Sequence, residues 1–497
     1  MYEIRRPVRQ IGIPKKRFDR ECPSGRGPNV ELSKNSMIMK HLLQISICLL
    51  LLSGGTESVA RTASGETFRT EESAGAERTA PKKRRAKKGP KRLKGSGRFV
   101  TRAVPCTGDY AALCVRSGVR VTVDPSATEI LLTADDNAID YVTAAAADGC
   151  LVLGFEARGV HEVSGLTLEA VVPASADLAR IEVSSYGSVK FLAPVENVAS
   201  LTLMGGGQAE GAFSGERMTV FVSGYGRFTG RVGVSGECEV GLSGGSRFDG
   251  DIEADELSLT LSGYAEYAGD ARARSSRIET SGGSRFDGDI EADKLSLMLS
   301  GYAEYAGDAR ARSSRIMLTG GSRFDGEAAL ENYELQLSGY AEMQCDLTGG
   351  TKGRISVGGG SRIGGAVETA ELEVIAGGYA KFDGGIRARM LRMECAGGST
   401  MTATCDLDRF EAAASGYAKI YLRGGGPVAE GSVSVCGGAS FRAPELDVAD
   451  YRIEARSYGK ASVRCSHSLS TRTDSGGQID FAGECEVRSY DPNVRRR

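Results

Sequence analysis

The chain has 497 residues, with 67 glycines, 13 prolines, no tryptophan and 25% charged residues, which excludes both a collagen-like repeat and a chain too polar to fold. A formal net charge of −2 gives no overall field that would draw the whole molecule to nucleic acid or to an anionic membrane. Twelve cysteines without a CxxC pair, and only His41, His161 and His467 as histidines, supply no zinc-finger ligand set, so no metal or cofactor is expected.

In chain order, residues 1–36 are polar, carry Arg5, Arg6, Lys15, Lys16 and Arg17, and precede Met37 and Met39. They read as an upstream extension or a start assigned too early. Residues 37–60 hold a basic start, the apolar run Leu42 to Leu52, and small residues ending at Ala60, the three regions of a secretory signal. The run is short for a bilayer span, so a signal anchor is the second reading. Export to the periplasm, the outer surface or the extracellular space follows. Cys48 sits behind Ile47, where a lipid-bearing cysteine would follow a small residue, so lipidation is not expected.

Residues 61–94 are rich in Ser, Thr, Glu and Ala and end in the basic block Lys82 to Lys94, a composition expected to stay disordered. Alone, the block resembles a nucleic-acid patch. Behind an export signal it reads instead as a linker touching anionic lipid, lipopolysaccharide or polysaccharide, and no specific nucleic-acid partner is expected. Residues 95–183 read as an N-terminal β part. Within it, Cys106 and Cys114 are spaced to close a small loop as a disulfide if their geometry allows.

From 184 to 490 the chain repeats. Ser243 to Ile278 and Ser281 to Ile316 differ only at Glu256 against Lys294 and at Thr260 against Met298. Each copy has two similar halves, Ser243-Gly-Gly-Ser-Arg-Phe-Asp-Gly250 and Ser262-Gly-Tyr-Ala-Glu-Tyr-Ala-Gly269, so the period is about 19 residues. Leu257-Ser-Leu-Thr-Leu261 alternates apolar and polar residues, the signature of a strand with one buried face. Three short strands per turn are expected, at Leu257–Leu261, Ala265–Tyr267 and Ala271–Ala273. A propeller blade and a leucine-rich repeat have other periods and consensus residues, which leaves an all-β, single-stranded parallel β-helix, a solenoid with about 19 residues per rung.

Stacking at that period predicts columns. Phe248, Tyr267, Phe286, Tyr305 and Phe324 form an interior aromatic ladder, beside aliphatic columns such as Leu259, Ile278, Leu297 and Ile316. Outside, Arg247, Glu266, Arg285, Glu304 and Arg323 alternate in sign, as do Glu253, Arg272, Glu291 and Arg310, and Asp255, Arg274, Asp293 and Arg312. Alternation avoids like charges in register and so fixes which half-repeat sits on which. Residues 491–497 read as a basic tail.

Tyr186, Tyr225, Tyr264, Tyr302, Tyr340, Tyr379, Tyr417 and Tyr458 recur at one corner in every second turn, with Gly206, Gly245, Gly283 and Gly321 at the matching corners between the early ones. They form either a stacking stripe for sugar rings or covers laid over the bare glycines, and the covering role is favoured. No catalytic residue is expected, because the acidic residues of the repeat have opposite-charge partners one turn away. Gly358-Gly-Gly360 and Gly424-Gly-Gly426 precede no helix and are weak as phosphate loops.

At Gly95-Ser-Gly97, Val100-Thr-Arg102, Ser117-Gly-Val-Arg-Val-Thr-Val123, Leu132-Thr-Ala-Asp-Asp-Asn137, Tyr141-Val142, Asp148-Gly149, Val172-Pro173 and Ile181-Glu-Val-Ser184, the chain resembles the head GIN domain family of auto-transporter adhesins. By motif the resemblance covers about residues 95 to 250, and beyond that it rests on periodicity alone. It implies a right-handed β-helix exported to the bacterial envelope, with no catalytic residues defined. Ser184-Ser-Tyr-Gly187 departs from the family's small-Gly-Ser-Gly corner, and the repeat tract is longer than usual. The expected function is a non-catalytic, surface-associated adhesin-like protein presenting an extended binding or spacer surface to surface glycans or envelope polymers. A polymerising scaffold of bactofilin type is the alternative, and a polysaccharide-active enzyme comes third. The oligomeric state is left open.

Overall fold

The computed structural model describes residues 91–106, 109–424, 426–488 and 492–497. The expected extension at 1–36, the signal at 37–60 and linker residues 61–90 lie outside the described residues. The last four residues of that linker do not fit the expectation of disorder: Lys91–Lys94 is a strand paired in parallel with Val160–Ser164.

The described residues form strands joined by turns, with one short 3-10 helix at Ile139–Tyr141 and no α-helix. From Arg180 onward the chain climbs as a parallel solenoid. Ile252 lies opposite Ala271, which lies opposite Ile290, which lies opposite Ala309, so in these central turns each residue meets its counterpart 19 positions on. The register follows from chemistry, because a slip by one residue would turn every inward side chain outward. Leu257, Leu259 and Leu261 point inward, alternating with half-buried Ser258 and exposed Thr260. The interior is a single continuous apolar core.

The aromatic ladder is present and is longer than the repeats suggest. Ring centroids lie 5.2 Å apart from Phe248 to Tyr267, 4.6 Å from Tyr267 to Phe286, 5.4 Å from Phe286 to Tyr305 and 4.6 Å from Tyr305 to Phe324. Phe228, Phe213 and Phe191 extend it toward the N-terminal end. The buried hydroxyls of Tyr267 and Tyr305 donate to the carbonyls of Asp270 and Asp308 at 3.0 and 2.9 Å. Tyrosine therefore alternates with phenylalanine without leaving a polar group unmet inside the ladder.

The three expected strands per turn become two or one. Ile252–Leu261 and Ala271–Thr280 each run straight through the corner expected to separate Ala271–Ala273 from the next strand. In later turns one strand such as Arg323–Leu337 fills nearly the whole rung. That corner bends without leaving extended backbone, whereas the Ser-Gly-Tyr corner breaks the ladder because Gly263 takes φ +76°, a left-handed geometry that only glycine adopts cheaply.

Residues 95–183 are not stacked in chain order. Ala112–Val115 lies between Cys150–Phe155 and Arg180–Val183, and Arg120–Asp124 lies between Leu168–Pro173 and Ser188–Phe191. Beyond Leu168–Pro173 comes antiparallel Ile130–Asp135, followed by antiparallel Phe99–Val104. Val142–Ala147 pairs antiparallel with Cys150–Phe155. The parallel stack thus ends in antiparallel strands and not in a bare parallel edge, the usual means of blocking edge-to-edge growth. At the other end, Val494–Arg496 pairs with Gln478–Ala482, so the expected basic tail supplies a strand of the final turn.

Candidate functional site

The eight corner tyrosines form the one regular row of exposed large apolar side chains among the described residues, each between 73% and 81% exposed. The corner places them there. The preceding glycine turns the chain, and the alanine that follows in most of the repeats, such as Ala265 or Ala303, is fully buried, so the tyrosine must point outward. Each ring also has a seat. A Cβ built on Gly283 would meet Tyr264 Cε1 at 3.0 Å, and the same relation links Tyr302 with Gly321, Tyr340 with Gly360, Tyr379 with Gly398 and Tyr458 with Gly476. One side of the ring therefore lies on the glycine of the next turn, while the rest faces solvent. Covering and presenting are not exclusive roles here, since the seat holds the ring in a fixed place at little entropic cost to a ligand.

The outermost members differ. Tyr186 and Tyr458 take φ +62° and +65°, each after a serine that is also in the left-handed region. The Ser184-Ser-Tyr-Gly187 departure noted in the sequence is thus a strained corner of non-glycine residues.

Two residues beyond each tyrosine runs a polar column. It begins Ser188, Gln208, Arg227 and Arg247, with the two arginines in register, and from Arg247 to Glu342 it alternates in sign: Arg285 Nη1 lies 3.2 Å from Glu304 Oε2, and Arg247 pairs with Glu266. Neighbouring columns behave alike, with Arg272 to Glu291 at 3.6 Å and Arg312 to Asp293 at 3.4 Å. All these side chains are substantially exposed, so the pairs set register more than they add stability. A surface depression lined by Glu253, Arg272, Glu291 and Arg310 is accordingly self-neutralised. Past Glu342 the tyrosine-side column changes character, running Arg362, Lys381, Thr400, Lys419, Ser440, Lys460 and Gln478 without an acid.

No disulfide joins Cys106 to Cys114, and the thiol facing Cys114 is that of Cys150, Sγ to Sγ 3.3 Å. The structure therefore pairs Cys114 across two strands and not round the small loop expected from spacing. Burial first, and then the hydrogen bond with Cys150, push the Cys114 thiol up to about 12. Cys465, buried and hydrogen-bonded with Cys485, is likewise raised to about 12.

One cluster has the residue types of a hydrolytic triad. His467 Nδ1 lies 2.7 Å from Asp450 Oδ1, but Ser468 Oγ donates to the same Asp450 oxygen at 2.6 Å. The serine is thus bound to the acid and not to the imidazole, the reverse of what nucleophile activation requires. These two hydrogen bonds, the serine's first, hold the Asp450 carboxyl below the usual carboxylate range. Among the described residues no group of three His, Cys, Asp or Glu side chains can hold a metal ion.

No curated protein matches the chain significantly. Among solved structures, a putative adhesin from Parabacteroides merdae shares 12% identity over 67% of this chain and 99% of its own, with a TM-score of 0.23. A putative adhesin from Bacteroides fragilis shares 12% over 51% of this chain and 99% of its own, with a TM-score of 0.28. A putative lipid binding protein from Parabacteroides distasonis shares 11% over 82% of this chain and 100% of its own, with a TM-score of 0.20. Likenesses at that level establish no shared activity. The profile of one family, described as putative auto-transporter adhesin, head GIN domain, matches residues 109–268, 252–366 and 366–485. With those three matches running through most of its length, the chain belongs to the head GIN domain family of putative auto-transporter adhesins.

Proposed function

We propose that the protein is exported, held at the cell surface, and acts without catalysis as an adhesin-like solenoid whose tyrosine column contacts glycans or other envelope polymers. The observation that carries this reading is the column itself. Eight mostly exposed tyrosines stand in one line, each seated on a glycine, beside charged columns that neutralise themselves in ion pairs through the central turns. Exposed aromatic faces in a row suit sugar rings, which stack their apolar faces on aromatic side chains. The family name points to adhesion, and the apolar run Leu42 to Leu52 followed by small residues points to export. The antiparallel strands at the N-terminal end favour a discrete molecule over a filament growing by edge addition.

Mass spectrometry of the mature N-terminus in fractionated cells tests export. A chain beginning near Arg61 in an exported fraction supports it, and an unprocessed cytoplasmic filament would defeat it. A glycan array with the exported chain tests the column, with Tyr264→Leu, Tyr302→Leu, Tyr340→Leu, Tyr379→Leu, Tyr417→Leu and Tyr458→Leu together as the control. Equal binding by variant and parent would discard the tyrosines as the contact surface.

A further inference from the structure

The tyrosine column is uniform in its rings but not in what stands beside them. At Tyr264 and Tyr302 the residue two positions on is Glu266 or Glu304, each engaged by an arginine of the turn before. At Tyr379, Tyr417 and Tyr458 it is Lys381, Lys419 or Lys460. These three lysines are exposed, and none makes an ion pair with a described residue; Asp383, two positions beyond Lys381, makes none either. The turns between them carry Thr400 and Ser440 in the same column, so hydroxyls separate the ammonium groups. If these lysines followed the rule of the central repeats, acids would alternate with them as they do from Arg247 to Glu342. From Arg362 to Gln478 they do not.

The spacing then has chemical content. Two turns rise about 9.6 Å, twice the inter-strand distance, and each two-turn step offers one aromatic ring and one unpaired ammonium group. An extended β-linked polysaccharide turns each sugar over relative to the last, so the same pyranose face recurs once per disaccharide, over nearly that distance. A polymer carrying one carboxylate per disaccharide would place one apolar sugar face and one anion at each step. A coiled α-linked chain would fall out of step after the first contact, and a neutral chain would leave the lysines unused. We propose that the C-terminal half of the column, Tyr379, Tyr417 and Tyr458 with Lys381, Lys419 and Lys460, binds a linear acidic polysaccharide with one uronate per disaccharide, laid along the solenoid axis. This rests on the reading of the column as a contact surface and adds to it the charge and period of the ligand.

The test uses the full exported chain and three immobilised polymers: an alternating glucuronate–N-acetylglucosamine polysaccharide, its carboxyl-reduced neutral form, and a neutral α-1,6-linked glucan. Binding is measured across a salt series. The parent is expected to prefer the uronate polymer at least tenfold over the reduced form, with the preference shrinking as salt screens the contacts. Lys381→Gln, Lys419→Gln and Lys460→Gln combined should erase that preference and leave binding to the reduced polymer unchanged. Tyr379→Leu, Tyr417→Leu and Tyr458→Leu combined keep a cover on each glycine but remove the aromatic faces, and should lose both polymers. Persistence of the preference in the lysine variant overturns the inference. Tyrosine-dependent binding of the glucan alone also overturns it while leaving the column as the contact surface. Absence of tyrosine-dependent binding to all three polymers removes both readings.

Discussion

Gly282 and Gly283 are adjacent, and alanine at each should have opposite consequences. Gly282 takes φ +74°, and a Cβ there would stand 2.7 Å from the carbonyl oxygen of Gly263 in the turn before. A left-handed alanine costs about 1–2 kcal/mol, and forcing a stacked backbone carbonyl to retreat adds about 1–3 kcal/mol of overpacking. Gly282→Ala should therefore destabilise by about 2–5 kcal/mol. At Gly283 the backbone is ordinary, and the added Cβ crowds the Tyr264 ring at 3.0 and 3.1 Å while standing at ordinary contact distance, 3.8 Å, from the Gly263 carbonyl oxygen. That ring is 77% exposed and can swing away, while alanine narrows the unfolded ensemble by about 0.4–1 kcal/mol. Gly283→Ala should thus stay within about 1 kcal/mol of the parent, yet unseat Tyr264 and weaken any ligand contact there. Denaturant midpoints followed by far-UV circular dichroism give both numbers. Equal losses at the two positions, or a near-neutral Gly282→Ala, would refute the corner geometry.

Reversing one charge in the registry column tests whether alternation matters. Glu304→Arg would lose the pair with Arg285 and face Arg285 and Arg323 in register, costing about 1 kcal/mol at low salt and less at high salt; a salt-independent loss would point to packing instead. At the N-terminal end, buried Asp135 accepts the backbone N–H of Thr167 at 2.9 Å and of Gly97 at 2.7 Å, and these bonds, Thr167's first, hold its carboxyl below the usual range. A depressed carboxylate stabilises the fold above the ordinary value of about 4, and that contribution is lost as pH falls through the lowered one. Acid should accordingly loosen Gly97 and Thr167 before the central turns, as seen by hydrogen exchange, and Asp135→Asn should remove the pH dependence. Uniform loosening along the solenoid would contradict this assignment.

The period, the ladder from Phe248 to Phe324, the charge columns and the outward tyrosines were all legible in the sequence. They are consequences of one number: once 19 residues close a turn, every side chain's neighbours above and below are named by counting. Counting fails where the turn changes length. Glu342 faces Arg362 and Lys419 faces Ser440, both more than 19 positions on, so a fixed count of 19 carried past Glu342 misses which residues stack on one another from Arg362 to Gln478. Other features depended on contacts that no local pattern encodes. The insertion of Ala112–Val115 between Cys150–Phe155 and Arg180–Val183, and with it the meeting of Cys114 with Cys150, follows from how the end of a parallel stack is closed. Chain order fixes what each strand can pair with in the repeats, where successive turns are neighbours, but the closing strands pair across long sequence separations, and only the folded chain chooses among them.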